Sequence, residues 1–243
     1  MPEWLRTDVH RSLAWLQRLA GGTNEIAREI PGILARLKSS TLIELGSGSG
    51  ALLAAIEPNV SSATTLVATD LHPQVAAWSS AFADFDHLRF VDVPVPIDSF
   101  AEILHPNASD AILLSAVSHH LVDDELRSFF ASAARARVHV IIAEPLDRSA
   151  IGIALGASTG LGALLVPIAS FADDRARVQR VLTHWAVPIV PFILSHDGIV
   201  SALRQRTALE WEAIVSALPF RVERRVLGPF GNVSLSVFVH EDA

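Results

Sequence analysis

The chain has 243 residues, enough for one large domain or one domain with a cap, and half of them are hydrophobic, so a sizeable core can be buried. Nineteen Lys and Arg against 26 Asp and Glu leave a net charge of −7, which excludes the basic face a nucleic-acid backbone demands, so no nucleic acid is expected as a partner. The lack of cysteine excludes a disulfide framework, thiolate catalysis, an iron–sulfur cluster and a cysteine zinc site, leaving His, carboxylate, Ser and backbone chemistry. Charges stand where a signal peptide would carry its apolar run, so a cytoplasmic location is expected.

Residues 3–19 and 24–37 place apolar side chains at steps of three and four on either side of Gly21-Gly22. They predict two helices that lie outside the core as a cap over its mouth, residues 1–38 in all. Short apolar runs at 42–45, 65–69, 88–91, 111–115 and 138–143 then read as five buried strands. Between them a helix opens at the glycines after residue 45, another has Pro73 in its first turn, and a third is capped by Asp123. This alternation predicts an α/β fold with a parallel sheet and helices on both faces.

Residues 149–206, 58 in all, are far too many for an ordinary connection and read as an inserted cap with structure of its own. Its first 24 residues, 149–172, carry no charge and meet the length test for a membrane span. A span would carry everything after it across the bilayer, away from the sheet it should complete. Gly152, Gly156 and Gly160 recur every fourth residue, giving one flat helix face suited to close packing. A buried or cap helix is therefore expected, with a monotopic membrane contact or an apolar homodimer face as the alternatives. Residues 173–185 read as an amphipathic helix, Pro188 and Pro191 bar a regular helix over 187–194, and His196-Asp197 reads as a turn or cap. Thr207-Ala-Leu-Glu210 is a capping-box pattern opening the last helix, through Leu218, and 220–227 with 233–239 form an antiparallel hairpin closing one sheet edge.

The sequence Glu44-Leu-Gly46-Ser47-Gly48-Ser49-Gly50 sits where the first strand hands over to a helix. Glycines there let the backbone turn sharply and a ligand approach it, and the helix start offers N–H groups. A nucleotide-like ligand is expected. Gly46, Gly48 and Ala51 also fit the dinucleotide fingerprint, with Asp70 ending the second strand, so the glycines alone leave the cofactor open. Glu44 weighs against a pyrophosphate and suits a ligand bearing an ammonium and a sulfonium, as S-adenosylmethionine does.

With these residues the chain resembles the class I S-adenosylmethionine-dependent methyltransferases, whose motif I the Glu44–Gly50 segment is similar to. The resemblance covers about residues 41–239 without the insertion. It implies a Rossmann-like, mostly parallel seven-stranded sheet with an antiparallel edge hairpin, in a single domain. It implies cofactor contacts from Glu44, Gly46, Ser47, Gly48 and Gly50, from Asp70 to the ribose hydroxyls with Leu71 beside it, from Asp92 to the adenine amino group with Val93 beside it, and from Ser115. The acids have the chemistry for it, since a carboxylate accepts hydroxyl and amino donors.

After the fourth strand, Ser118-His119-His120 stands at the carboxyl edge of the sheet, where open α/β folds bind ligands. A methyl acceptor that is still protonated needs a base, and histidine suits that task near neutral pH. The resemblance extends to a His-His step at this place, which implies His119 as the first candidate and His120 as the second, with one expected to face the cofactor and the other to pack. His119, His120, Asp123 and Asp124 are also metal-ligand types, but Asp123 is more simply a helix cap and no metal is expected. Glu144 can meet substrate, although solvation or pairing with Arg148 is the plainer reading. Trp15, Trp185 and His196 complete the candidate substrate contacts. The expected activity is methyl transfer to oxygen or nitrogen of a small, largely apolar metabolite. Its rivals are an enzyme that cyclises or cleaves S-adenosylmethionine without an acceptor, an NAD-dependent oxidoreductase and a membrane-associated module.

Overall fold

Seven strands form one sheet in the order β3-β2-β1-β4-β5-β7-β6: β1 Thr41–Leu45, β2 Thr65–Thr69, β3 Leu88–Phe90, β4 Ala111–Ser115, β5 His139–Glu144, β6 Phe220–Leu227 and β7 Val233–His240. The five predicted strands run parallel, and β7 pairs antiparallel with β5 and with β6, as the alternation and the hairpin pattern require. The computed structural model describes residues 9, 12, 22–144, 148–165, 182–227 and 233–243. The chain divides into two compact units, residues 23–144 with 206–243 and residues 145–205 with the first 22.

The central strands β1, β2, β4 and β5 are buried, which is why they read as continuous apolar runs rather than alternating ones. On one face Leu42, Leu66, Leu113, Ile141 and Leu235 meet the helices α1 Gly22–Leu37, α2 Ala51–Ile56 and α3 Val75–Ala81. On the other, Ile43, Ile112, Leu114, Ile142 and Phe238 meet Phe100 of α4 Phe100–Leu104 and Phe129 and Phe130 of α5 Asp123–Ala136. α1 was expected in the cap. Its stripe of Ile26, Ile30, Ile33 and Leu34 instead lies in the core of the sheet unit, because a helix with one fully apolar face gains most by covering bare strands. Asp123 is the first residue of α5 rather than its cap; Glu125 accepts from the Val122 N–H, freeing the Asp123 carboxylate for Arg206.

In the other unit, α6 Ala150–Ala163 is opened by the Ser149 hydroxyl, which accepts from the Gly152 N–H. Residues 166–181 lie outside the described residues, and with them the end of the uncharged run and most of the amphipathic stretch; among the described residues no helix is long and apolar enough to cross a membrane. α7 Ile189–Arg204 runs straight through Pro191, contrary to the sequence expectation. Pro188 is its N-cap and Pro191 its third residue, where a missing N–H removes no helical bond. His196-Asp197 accordingly lies inside this helix instead of forming a turn.

The recurring glycines of α6 find their partner in α7. A Cβ on Gly156 would strike the Gly198 carbonyl oxygen, and one on Gly160 would strike the Pro191 carbonyl oxygen and the Ser195 hydroxyl. Thr159 Oγ1 donates to the Leu194 carbonyl and Ser195 Oγ to the Ala157 carbonyl across the same seam. The flat face serves an intramolecular helix pair. Gly156→Ala is expected to cost about 1–3 kcal/mol by forcing these backbones apart; a denaturation midpoint equal to that of the parent would contradict this packing.

Candidate active site

The strand order reverses between β1 and β4, which places the glycine turn after β1 and the histidine turn after β4 at one crevice of the sheet's carboxyl edge. Gly46, Gly48 and Gly50 all have positive φ, and a Cβ on Gly46 would lie 2.8 Å from Val117 Cγ2. The two turns are thus packed directly against each other. Among the described residues nothing lies within 4 Å of where a Gly48 Cβ would stand, so they leave that stretch of backbone open to a ligand.

The N–H groups of the glycine turn were expected to be available to a ligand, and most are not. Gly46 and Ser47 donate to the Thr69 carbonyl, Gly50 to the Ser47 carbonyl, and Gly48 to Asp70 Oδ2 at 2.9 Å. The Ser47 hydroxyl accepts from Thr69 N–H, and the Trp78 indole donates to the Gly48 carbonyl. A phosphate cradle depends on such donors pointing outward. Here they are spent on stitching the turn to the end of β2.

Glu44 is buried, and its Oε2 has no hydrogen-bond partner among the described residues. Burial is the main reason its pKa is pushed up to about 8; the Ser47 hydroxyl lowers it and the nearby Asp70 raises it. The carboxyl is therefore mostly protonated at neutral pH unless a cation restores its charge, so it is a latent anion rather than a standing one. This changes the basis on which a pyrophosphate is disfavoured: the closed N–H groups matter more than repulsion.

These residues fit S-adenosylmethionine. The orphaned Glu44 oxygen suits an ammonium, and the open backbone at Gly48 suits close approach. Asp70 accepts from Gly48 N–H and, at 2.8 Å, from His72 N–H, which leaves lone pairs on both oxygens for a ribose diol. Val95 N–H donates to the Asp70 carbonyl, tying the ends of β2 and β3 together, and Leu71, Asp92 and Val93 are exposed along that edge. Ser115, at the end of β4, is half-buried and lies opposite Ala143.

His119 and Glu144 form the densest polar cluster at this edge. Both are buried, and His119 Nδ1 lies 2.9 Å from Glu144 Oε2. The other carboxylate oxygen accepts from the Ser118 hydroxyl at 2.5 Å. Glu144 is thus neither solvated nor committed to Arg148 alone, as the sequence suggested, because β5 ends with its side chain directed at the turn after β4. A carboxylate beside Nδ1 holds the proton there and leaves the Nε2 lone pair to act as a base. His119 and His120 were expected to diverge; on a three-residue 3₁₀ turn their rings lie 4.1 Å apart, with His120 exposed.

Of the other candidates, Trp185 and His196 belong to the inserted unit, where Trp185 Nε1 donates to the Leu164 carbonyl and His196 stacks on Phe192; Trp15 lies outside the described residues. Ser118 and Arg206 were missed. Ser118 stood inside the quoted motif and was legible as a hydroxyl next to the candidate base. Nothing local marked Arg206, whose hydrogen-bond partners are more than 80 residues away.

No protein-family model and no curated protein sequence matches the chain. Solved structures do. The chain is similar to the mitomycin 7-O-methyltransferase MmcR, with a TM-score of 0.56 and 15% identity over 93% of this chain and 54% of that one. It is similar to an O-methyltransferase family protein from Burkholderia thailandensis, with a TM-score of 0.52 and 15% identity over 90% of this chain and 58% of that one. The methyltransferase domain of bacterial CtHen1 matches with a TM-score of 0.54 and 14% identity over 88% of this chain and 96% of that one. The chain thus spans little more than half the length of the first two. Its fold is that of the class I S-adenosylmethionine-dependent methyltransferases.

Glu44 also generates a stability prediction. With a pKa near 8 folded and the ordinary 4.5 unfolded, the folded chain keeps a proton that the unfolded chain releases between those values. Stability from this group is complete below about pH 4.5 and is lost as pH rises towards 8, by at most about 1.4 kcal/mol per pH unit. Glu44→Gln is expected to flatten the fall in denaturation midpoint between pH 5 and 8 and to be the more stable form at pH 8. Parallel pH profiles for the two proteins would contradict the burial of an unpaired carboxyl.

Proposed function

We propose that the protein is an S-adenosylmethionine-dependent O-methyltransferase acting on a hydroxyl of a small, largely apolar molecule. The observation that carries this reading is the buried Glu144 carboxylate on Nδ1 of His119, beside a glycine turn most of whose N–H groups are bonded within the protein. Glu44, Gly46, Ser47, Gly48, Gly50, Asp70, Leu71, Asp92, Val93 and Ser115 would hold the cofactor, which when bound supplies a methyl group made electrophilic by its sulfonium. Methyl transfer is an in-line displacement, so the chain's part is to align the acceptor and take its proton.

His119 takes that proton at Nε2, and Glu144 fixes the tautomer and stabilises the imidazolium that results. The Ser118 hydroxyl occupies the second Glu144 oxygen and keeps the carboxylate from rotating away. A hydroxyl acceptor has a proton to lose, and the dyad is placed to take it; cyclisation of the cofactor also releases a proton, from its ammonium or its α-carbon, so incubation with the cofactor alone separates the two reactions. Within the inserted unit, Trp185, His196 and Phe192 are exposed and offer aromatic surface to an apolar ligand.

Isothermal titration with S-adenosylmethionine and with NAD tests the cofactor, and binding of NAD alone overturns the proposal. Incubation with S-adenosylmethionine and a panel of phenols, read by mass spectrometry, is expected to yield methyl ethers. Equal consumption of S-adenosylmethionine without any phenol would favour the cleavage reading instead. For an accepted phenol, Glu144→Gln is expected to lower turnover on the order of 10²–10⁴-fold with cofactor affinity unchanged.

A further inference from the structure

We propose that Arg206 is a positioning residue for His119, clamping from behind the turn that carries Ser118 and His119. The inference rests on the reading of His119 as the base. That turn spans Ser118–His120 and is closed by two backbone bonds, His120 N–H to the Val117 carbonyl and Leu121 N–H to the Ser118 carbonyl. Short 3₁₀ turns have poor hydrogen-bond geometry and depend on external partners. One partner is Glu144, which grips the Ser118 and His119 side chains. The other is Arg206, which grips the backbone. Its Nη1 donates to the Ser118 carbonyl at 3.1 Å and its Nη2 to the Leu121 carbonyl at 2.7 Å, while Nε and Nη2 both donate to Asp123 Oδ1.

The guanidinium is itself well held. It lies over the ring of Trp211, 5.6 Å from the centroid, and Trp211 is buried against Phe130 and Phe238. Thr207, the next residue, anchors the backbone through its capping box: Thr207 N–H donates to Glu210 Oε2 at 2.7 Å, and Glu210 N–H donates to Thr207 Oγ1. The helix α8 Ala208–Val215, which follows, already buries Trp211, Ile214 and Val215. Arg206 is therefore not needed to fix α8.

Its bond to Asp123 is weak as a source of stability, since Asp123 is 59% exposed while Arg206 is 11% exposed. What the pair supplies is direction: a flat, five-donor fork set at an angle that meets two carbonyls and a carboxylate at once, which a lysine cannot reproduce. Losing the fork frees the backbone of the turn while leaving Glu144 in place, so His119 keeps its partner's chemistry but not its fixed orientation. A displacement of about 1 Å at a reacting group costs on the order of 10²-fold in rate.

The test reads the His119–Glu144 contact without any turnover. The low-field imidazole proton resonance of His119, assigned by its loss in His119→Gln, is expected to shift or broaden in Arg206→Ala and to lie between the two in Arg206→Lys. With an accepted phenol, kcat is expected to fall on the order of 10²-fold in Arg206→Ala at unchanged KM for S-adenosylmethionine. A folded Arg206→Ala that binds the cofactor and shows the parent resonance and turnover overturns the proposal. Should Arg206→Ala not fold, Arg206→Lys decides by the same two readings, and an unmoved resonance overturns it. Failure of the methyltransferase reading would show differently, as no cofactor binding or no methyl ether in the parent protein whatever stands at position 206.

Discussion

Burying a carboxylate removes several kcal/mol of hydration that only close partners can return, and Glu144 meets that demand at the end of a strand buried on both faces. Ser118 occupies one oxygen and His119 the other. The requirement is mutual. The imidazole acquires a fixed tautomer from the same contact, and the turn that carries it acquires a fixed height above the sheet. Satisfaction of the glutamate and preparation of the histidine are one event, and the parallel pairing of β4 with β5 makes it possible by ending both strands at the same edge.

The second glutamate at this edge has the opposite fate. Glu44 ends up buried with one oxygen unpartnered, and burial drives it towards the neutral form. A fold keeps an unsatisfied carboxyl only at a cost, and such costs gather where a ligand is to be met. One acid is thus paired within the protein, while the other keeps an unpaired oxygen among the described residues. The closed N–H groups around Gly46–Gly50 narrow what that outside partner can be, since little donor capacity remains for an anion.

The strands, their order of use and the edge hairpin were legible because buried parallel strands are written as unbroken apolar runs, and the capping box at Thr207 was legible because it is local. The positions of the glycine turn after β1, of Asp70 at the end of β2 and of His119 after β4 were legible for the same reason. What the sequence concealed depended on partners far along the chain. The stripe on α1 has the same pattern whether it covers a sheet or a cap. Pro191 could be judged only once the helix start was known. The flat face of α6 could not show that Gly198 would fill it, and Arg206 and Glu144 took meaning only from the turn between them.

The contact between Gly46 and Val117 has one more implication. With a valine methyl in the place of a side chain at 46, the two loops of the crevice share a seam with no slack. The position of the glycine turn and that of the histidine turn are therefore set together, by steric contact rather than by hydrogen bonds alone.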